Sequence, residues 1–251
     1  MEEKTTDRLT YIAVAIIALA LGLALSRLSP GMVRDEGTAL MVGEPTSAAS
    51  CDVALVKLQG TLVTYDSTDL GDTSDPNYYD PGETVSSERL VREIEDADAS
   101  SSVSAIVLQV DSLGGSPVAA EEIANALRRA EKPTVALIRG EGLSAAYWSS
   151  TGADAIFAAE NAEVGSIGVT SSYLDRTKYD EKNGYTFHSI STGEYKDMLN
   201  SSKQLTKEEE ALVRDEIGVM LENFVRTVSV NRNLSTTSVS DLATGAPFIA
   251  S

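Results

Sequence analysis

Cysteine and histidine occur once each in the 251 residues, as Cys51 and His188, and lysine only eight times. A lone cysteine excludes an intrachain disulfide. Cys51 lies too far behind the nearest apolar run, with Ala48 three places earlier, to read as a lipid-attachment site. It reads instead as a small apolar residue entering a strand. A single histidine leaves His188 as the sole imidazole available as a catalytic base. Basic charge is scarce too: 20 Lys+Arg stand against 38 Asp+Glu, a net charge of -18. Such a surface repels phosphate backbones and excludes nucleic acid as a partner. It suits a protein that stays soluble at high salt, a halophilic surface. Internal repeats are absent.

A hydrophobic fraction of 42% is ample for a core. Residues 9–25, LTYIAVAIIALALGLAL, carry no charge. At 1.5 Å per residue they span roughly 25 Å, against a hydrocarbon core of ~30 Å. No good cleavage site follows in SRLSPGM, so an uncleaved transmembrane anchor over residues 1–28 is favoured over a signal peptide or a buried helix. Charges flank the run on both sides and do not orient it. Residues 29–50 read as a flexible tether and 51–251 as the folded domain.

Within that domain, buried β-branched runs alternate with helical patterns. DVALVKL (52–58), VSAIVLQV (103–110) and PTVALIR (133–139) read as strands, with shorter ones at 153–159 and 185–190. Residues 65–83 form a long polar loop, and 84–98 carry a helical stripe of Leu90, Val91, Ile94 and Ala97. Ser116 caps a helix that Pro117 opens, running to Glu131. Thr206 and Glu209 form a capping box for the longest helix, to Val230, with Val213, Ile217, Leu221, Phe224 and Val228 on one face. The alternation predicts an α/β domain with a largely parallel sheet, whose ligands sit beyond the carboxyl ends of the strands.

Two segments lie at such ends. In DSLGGS, Gly114 and Gly115 permit a sharp turn whose amides can face a developing oxyanion, or they are a plain tight turn. In GEGLSAAYW, Ser144 stands at a helix start as a nucleophile or as a cap, while Ser149 and Ser150 fall further into the helix. A serine nucleophile needs a base. His188 reads as a half-buried strand residue. Lys196 qualifies if an apolar pocket removes water from its amine; otherwise it is a surface lysine.

From Asp52 to about residue 247 these segments resemble the S49 serine peptidases, the signal peptide peptidase A family. The family's S-P-G-G-S appears as Ser112-Leu113-Gly114-Gly115-Ser116, and its A-S-G-G-Y-Y/W as Leu143-Ser144-Ala145-Ala146-Tyr147-Trp148. A-D-x-I stands at Ala153–Ile156, G-S-I-G-V at Gly165–Val169, S-G-x-Y-K-D at Thr192–Asp197 and L-T-x-E-E at Leu205–Glu209. The resemblance implies a Clp-protease/crotonase-like fold of repeated ββα units wound as a superhelix with a largely parallel sheet. It implies Ser144 as nucleophile, Lys196 as general base and Ser166 as the hydroxyl that orients the lysine. Gly114, Gly115 and the Ala145 amide become oxyanion donors. It further implies hydrolysis of remnant signal peptides or other short hydrophobic peptides, without metal or cofactor, by a membrane-anchored homo-oligomeric ring. The catalytic domain would lie on the extracytoplasmic face, and neighbouring subunits would help complete each dyad. Leu113 replaces the family's proline, and Ala145 and Ala146 replace two glycines. That alanine pair keeps open a noncatalytic peptide-binding scaffold of the same fold. A crotonase-type acyl-CoA enzyme is a third reading.

Overall fold

The computed structural model describes residues 52–65 and 84–250. The expected anchor (1–28), tether (29–50), Cys51 and loop residues 66–83 lie outside the described residues. Among the described residues, no helix is long and apolar enough to cross a membrane. They divide into two compact units: one runs to Val164 and takes in Phe248 onward, the other is Gly165–Pro247.

The first unit is built on a parallel sheet. β1 (Val53–Gln59) pairs with β4 (Ala105–Ser112), and β4 with β5 (Thr134–Leu143). β6 (Ala155–Ala158) pairs with Val135–Ile138 of β5, and β7 (Glu163–Gly165) and β8 (Pro247–Ile249) extend the sheet. β2 (Thr61–Val63) and β3 (Thr84–Ser86) form a separate two-stranded parallel ladder. β4 is buried along nearly its whole length, as a strand covered on both faces must be. Ile106, Leu108, Val110 and Ile138 are fully buried, each contributing about 2 kcal/mol of apolar burial.

Two helices provide the crossovers. α1 (Ser87–Ala99) starts three residues later than its periodicity predicts, because Thr84–Ser86 is captured by β2 and Ser86 becomes the cap. Its buried stripe is Leu90, Ile94 and Ala97, with Val91 half-buried. α2 (Pro117–Arg129) starts as expected: Ser116 Oγ accepts from the Ala119 N–H, and Pro117 occupies the first turn, where its missing N–H leaves no bond unmade. The short α3 (Ala145–Ser150) packs against α2. The contact is backbone to backbone at its end: a Cβ on Gly152 would stand 2.2 Å from the Ala124 carbonyl oxygen.

The second unit holds α4 (Thr177–Lys182), α5 (Lys207–Arg232) and α6 (Thr236–Leu242). The capping box on α5 is present in both directions, Glu209 N–H to Thr206 Oγ1 and Thr206 N–H to Glu209 Oε2. Asn233 ends α5 in the left-handed region at φ 53. Of the expected apolar face, Phe224 and Val228 are buried, whereas Val213, Ile217 and Leu221 are only half-buried.

One expected strand is absent. Residues 185–190 are irregular and exposed throughout, Ile190 to 98%. The β-branched and aromatic composition of YTFHSI favours a pleated strand, but no described strand lies alongside to take its backbone groups. His188 is therefore exposed, not half-buried in a sheet.

Gly152→Ala is expected to lower stability by about 1–3 kcal/mol, because neither backbone at this contact can yield without shifting a helix. Thermal denaturation followed by circular dichroism measures it; an unchanged midpoint contradicts the contact.

Candidate active site

β5 delivers the chain to Leu143, and α3 starts at Ala145; Ser144 alone makes the turn between them. Its backbone sits at φ 50, ψ -122. That region suits glycine and costs an L-residue about 1–3 kcal/mol, so it survives only where the surroundings impose it. The hydroxyl makes no capping hydrogen bond. The neighbouring hydroxyls are engaged: Ser149 Oγ donates to Ala145 O at 2.9 Å, Ser150 Oγ to Ala146 O at 2.7 Å and Thr151 Oγ1 to Trp148 O at 2.7 Å. All three are buried. The geometry thus separates Ser144 from its rivals: its Oγ alone among the four serves no local backbone group.

The double-glycine turn lies against this serine. Gly114 has φ 111, and a Cβ there would meet Ser144 Cβ at 2.9 Å and the Ala145 nitrogen at 3.0 Å. Gly115 has φ 148, and a Cβ would meet Leu62 O at 2.3 Å, because β2 pairs with the turn through Leu62 N–H to Gly114 O and Ser116 N–H to Leu62 O, each 2.9 Å. The two glycines were expected to present oxyanion-donating amides, and the structure surrounds those amides differently. The Gly114 N–H donates to Ser112 Oγ at 3.1 Å, and that hydroxyl donates on to Gly60 O at 2.6 Å. The Gly114 amide is engaged in shaping the turn. The Gly115 and Ala145 amides are taken by no other described residue. Ala145 is 3% exposed and Ala146 fully buried, so the methyls that replace glycine belong to the packing.

Ser166 and Lys196 both belong to the second unit. Gly165 and Ser166 have φ 88 and φ 52, and Ser166 Oγ donates to Gly245 O at 2.8 Å. The Gly245 N–H donates back to Ile167 O at 3.0 Å, lacing GSIGV to the turn at Thr244–Ala246. No hydrogen bond joins Ser166 to Lys196 among the described residues. Lys196 is exposed, on a run of turns closed by Lys196 N–H to Gly193 O, Met198 N–H to Tyr195 O and Asn200 N–H to Asp197 O, each 3.2 Å. Its amine has no ion pair among the described residues. No described cluster of His, Cys, Asp or Glu could hold a metal.

Sequence reasoning missed the charged cluster beside Lys196. Lys203 Nζ lies 2.8 Å from Asp197 Oδ1 and 2.6 Å from Glu209 Oε1. The Lys203 hydrogen bond, and then that of Ser189, hold the Asp197 carboxyl below its usual range. Lys203, helped by the Thr206 N–H, does the same for Glu209, and the two carboxylates hold Lys203 above the ordinary lysine value. Glu209 was legible only as a capping residue; its second role needs Lys203 to fold back six residues, which no local pattern signals.

The fold and this site define a class: a mixed α/β protein with a mostly parallel sheet, presenting an unengaged serine on a strained strand-to-helix turn beside a double glycine. The family model described as Peptidase family S49 matches residues 126–251, half of the chain. An Enterococcus faecium protein named for signal peptide peptidase SppA is 28% identical over 179 residues, 70% of this chain and 52% of that one. A Methanocaldococcus jannaschii protein named as a protease is 32% identical over 154 residues, 61% of this chain and 50% of that one. Protease 4 of Haemophilus influenzae is 30% identical over 204 residues, 79% of this chain and 31% of that one. A solved ClpP1 mutant from Listeria monocytogenes overlays with a TM-score of 0.43 at 14% identity, over 74% of this chain and 77% of that one, too loose a likeness to define the fold. The chain belongs to peptidase family S49. It spans about half the length, or less, of the curated relatives it matches.

Two outcomes follow. Ser144→Gly should be more stable than Ser144→Ala by about 1 kcal/mol in urea denaturation, since glycine releases the strain that alanine retains; equal midpoints would mean an unstrained turn. The cluster at Lys203 gives a signed pH dependence. The lowered carboxyl pKa values contribute stability that is complete above about pH 5 and lost as pH falls through them. The raised lysine value contributes stability that is complete below about pH 10 and lost as pH rises through it. Lys203→Met should therefore be less stable at pH 7 and lose less between about pH 5 and pH 2, measured as denaturant midpoints against pH.

Proposed function

We propose that the chain is a serine peptidase that cleaves peptide bonds through an acyl-enzyme on Ser144, with Lys196 as general base. The observation that carries the reading is the Ser144 turn: an unengaged hydroxyl held at φ 50 beside the open Gly115 and Ala145 amides. Neutral Lys196 takes the Ser144 proton as Oγ bonds to the carbonyl carbon of the substrate. The two amides receive the oxyanion, a contribution worth about 3 kcal/mol per donor in comparable sites. Collapse breaks the C–N bond, and the Lys196 ammonium returns its proton to the leaving amine. Water, deprotonated by the same amine, then releases the acid. Ser166 orients the lysine by accepting from it, since its own proton already goes to Gly245 O.

A lysine is neutral near pH 7 only when removed from water. The exposure of Lys196 in a single chain supports a homo-oligomeric ring in which a neighbouring subunit covers it. Exposed Tyr185, Phe187, Ile190 and Tyr195 in the same segment fit that burial. Family membership and the signal peptide peptidase name of the E. faecium relative support short hydrophobic peptides as substrates and the Clp-protease/crotonase fold. The uncharged run at residues 9–25 supports a single-pass anchor with the catalytic domain on the extracytoplasmic face.

In the assembled protein, a fluorophosphonate probe should label Ser144 in wild type and not in Ser144→Ala. Lys196→Ala should lower peptide turnover by at least about a thousandfold while the fold is kept. Retained turnover in Lys196→Ala with loss in His188→Ala would move the base to the histidine.

A further inference from the structure

Lys203 is a semi-buried cation placed between two elements that matter to the site. One partner, Asp197, directly follows Lys196 in the chain; the other, Glu209, is the capping residue at the start of α5. The side chains are little exposed: 24% for Lys203, 18% for Asp197 and 3% for Glu209. Ser189, on the irregular stretch before Lys196, also helps hold the Asp197 carboxyl below its usual range. Between residues 185 and 203 there is no helix or strand. Short turns, Tyr185 N–H to Asp180 O at 2.9 Å and Arg176 N–H to Ser201 O at 2.7 Å order its backbone, and Lys196 itself contributes a backbone bond to Gly193 and no described side-chain partner.

We propose that Lys203 is a positioning residue for the general base: by bridging Asp197 to Glu209 it pins the Lys196 turn to the α5 start and fixes where the Lys196 amine is presented. The inference rests on the Ser/Lys reading above. The physical need is plain. Proton transfer requires the amine within hydrogen-bond reach of the serine, and a flexible exposed turn spreads a lysine over many positions. A charge-assisted bond with little solvent access is strong enough to restrict it. The capping box fixes Glu209, so the bridge is anchored on a 26-residue helix and not on another loop.

The test uses the assembled full chain and a fluorogenic hydrophobic peptide, comparing Lys203→Met, Asp197→Asn, Lys203→Arg and Lys196→Ala at a temperature where each is folded by circular dichroism. Lys203→Met and Asp197→Asn should each lower kcat about tenfold or more while KM stays within about twofold, because substrate binding is untouched and proton transfer is not. Lys203→Arg, which keeps charge and reach, should restore kcat to within about threefold of wild type. Retention of kcat in both Lys203→Met and Asp197→Asn, with Lys196→Ala inactive, overturns the positioning role and leaves the dyad standing. Losses in kcat that track thermal stability and are not rescued by Lys203→Arg overturn it as well, since the cluster would then be structural. Full activity in Lys196→Ala removes both readings together.

Discussion

The approach of Gly114 to Ser144, where a Cβ would find only 2.9 Å, is the constraint from which the site is built. A strand end and a strand-to-helix turn come together closely enough that one partner must lack a side chain. That contact helps hold Ser144 at φ 50, a conformation a serine does not choose for itself. The strain is maintained by what lies behind it: fully buried Ile106, Leu108 and Ile138 on β4 and β5, the buried Ala146, and the Ala124–Gly152 backbone contact. Each of these is rigid, so the turn cannot relax by moving away. A hydroxyl and two amides without a partner among the described residues are the consequence.

The segment of the proposed base is held differently. Ser166 is secured by a short mutual lacing with Gly245, whereas Lys196 stands on turns without helix or strand. Charge adds to the order that backbone bonds such as Arg176 N–H to Ser201 O give there. Lys203 draws Asp197 and Glu209 together, in a chain where cations are outnumbered 20 to 38. Lys132 is half-buried as well, but its amine donates to the backbone carbonyls of Ala97 and Ser100, whereas Lys203 takes two carboxylates. The apolar residues exposed along the same segment fit the proposed homo-oligomeric ring.

Much of the fold was legible because its signals are local. Ser116 with Pro117, and Thr206 with Glu209, mark helix starts through bonds that close within four residues. The nearly continuous apolar run at 103–110 read as a buried strand, and β4 lies at Ala105–Ser112. The stretch at 185–190 had strand composition but gained no described strand partner, and composition cannot supply a neighbour. The family was legible from the order of six short motifs, and half of the chain matches it.

By itself, then, the sequence determined the helix caps, the buried parallel strands and the excluded disulfide, and by resemblance it offered Ser144 and Lys196 as the expected catalytic pair. These follow from residue chemistry and from interactions a few positions long. Only the tertiary structure decided which hydroxyl is left unengaged, that the Gly114 amide is taken by Ser112 while that of Gly115 is open, and that Glu209 serves Lys203 as well as the helix end. Those outcomes depend on folded geometry: Ser112 Oγ is placed by its bond to Gly60 O, 52 residues away in the chain, and Glu209 is reached only because the turns at 197–203 bring Lys203 to it.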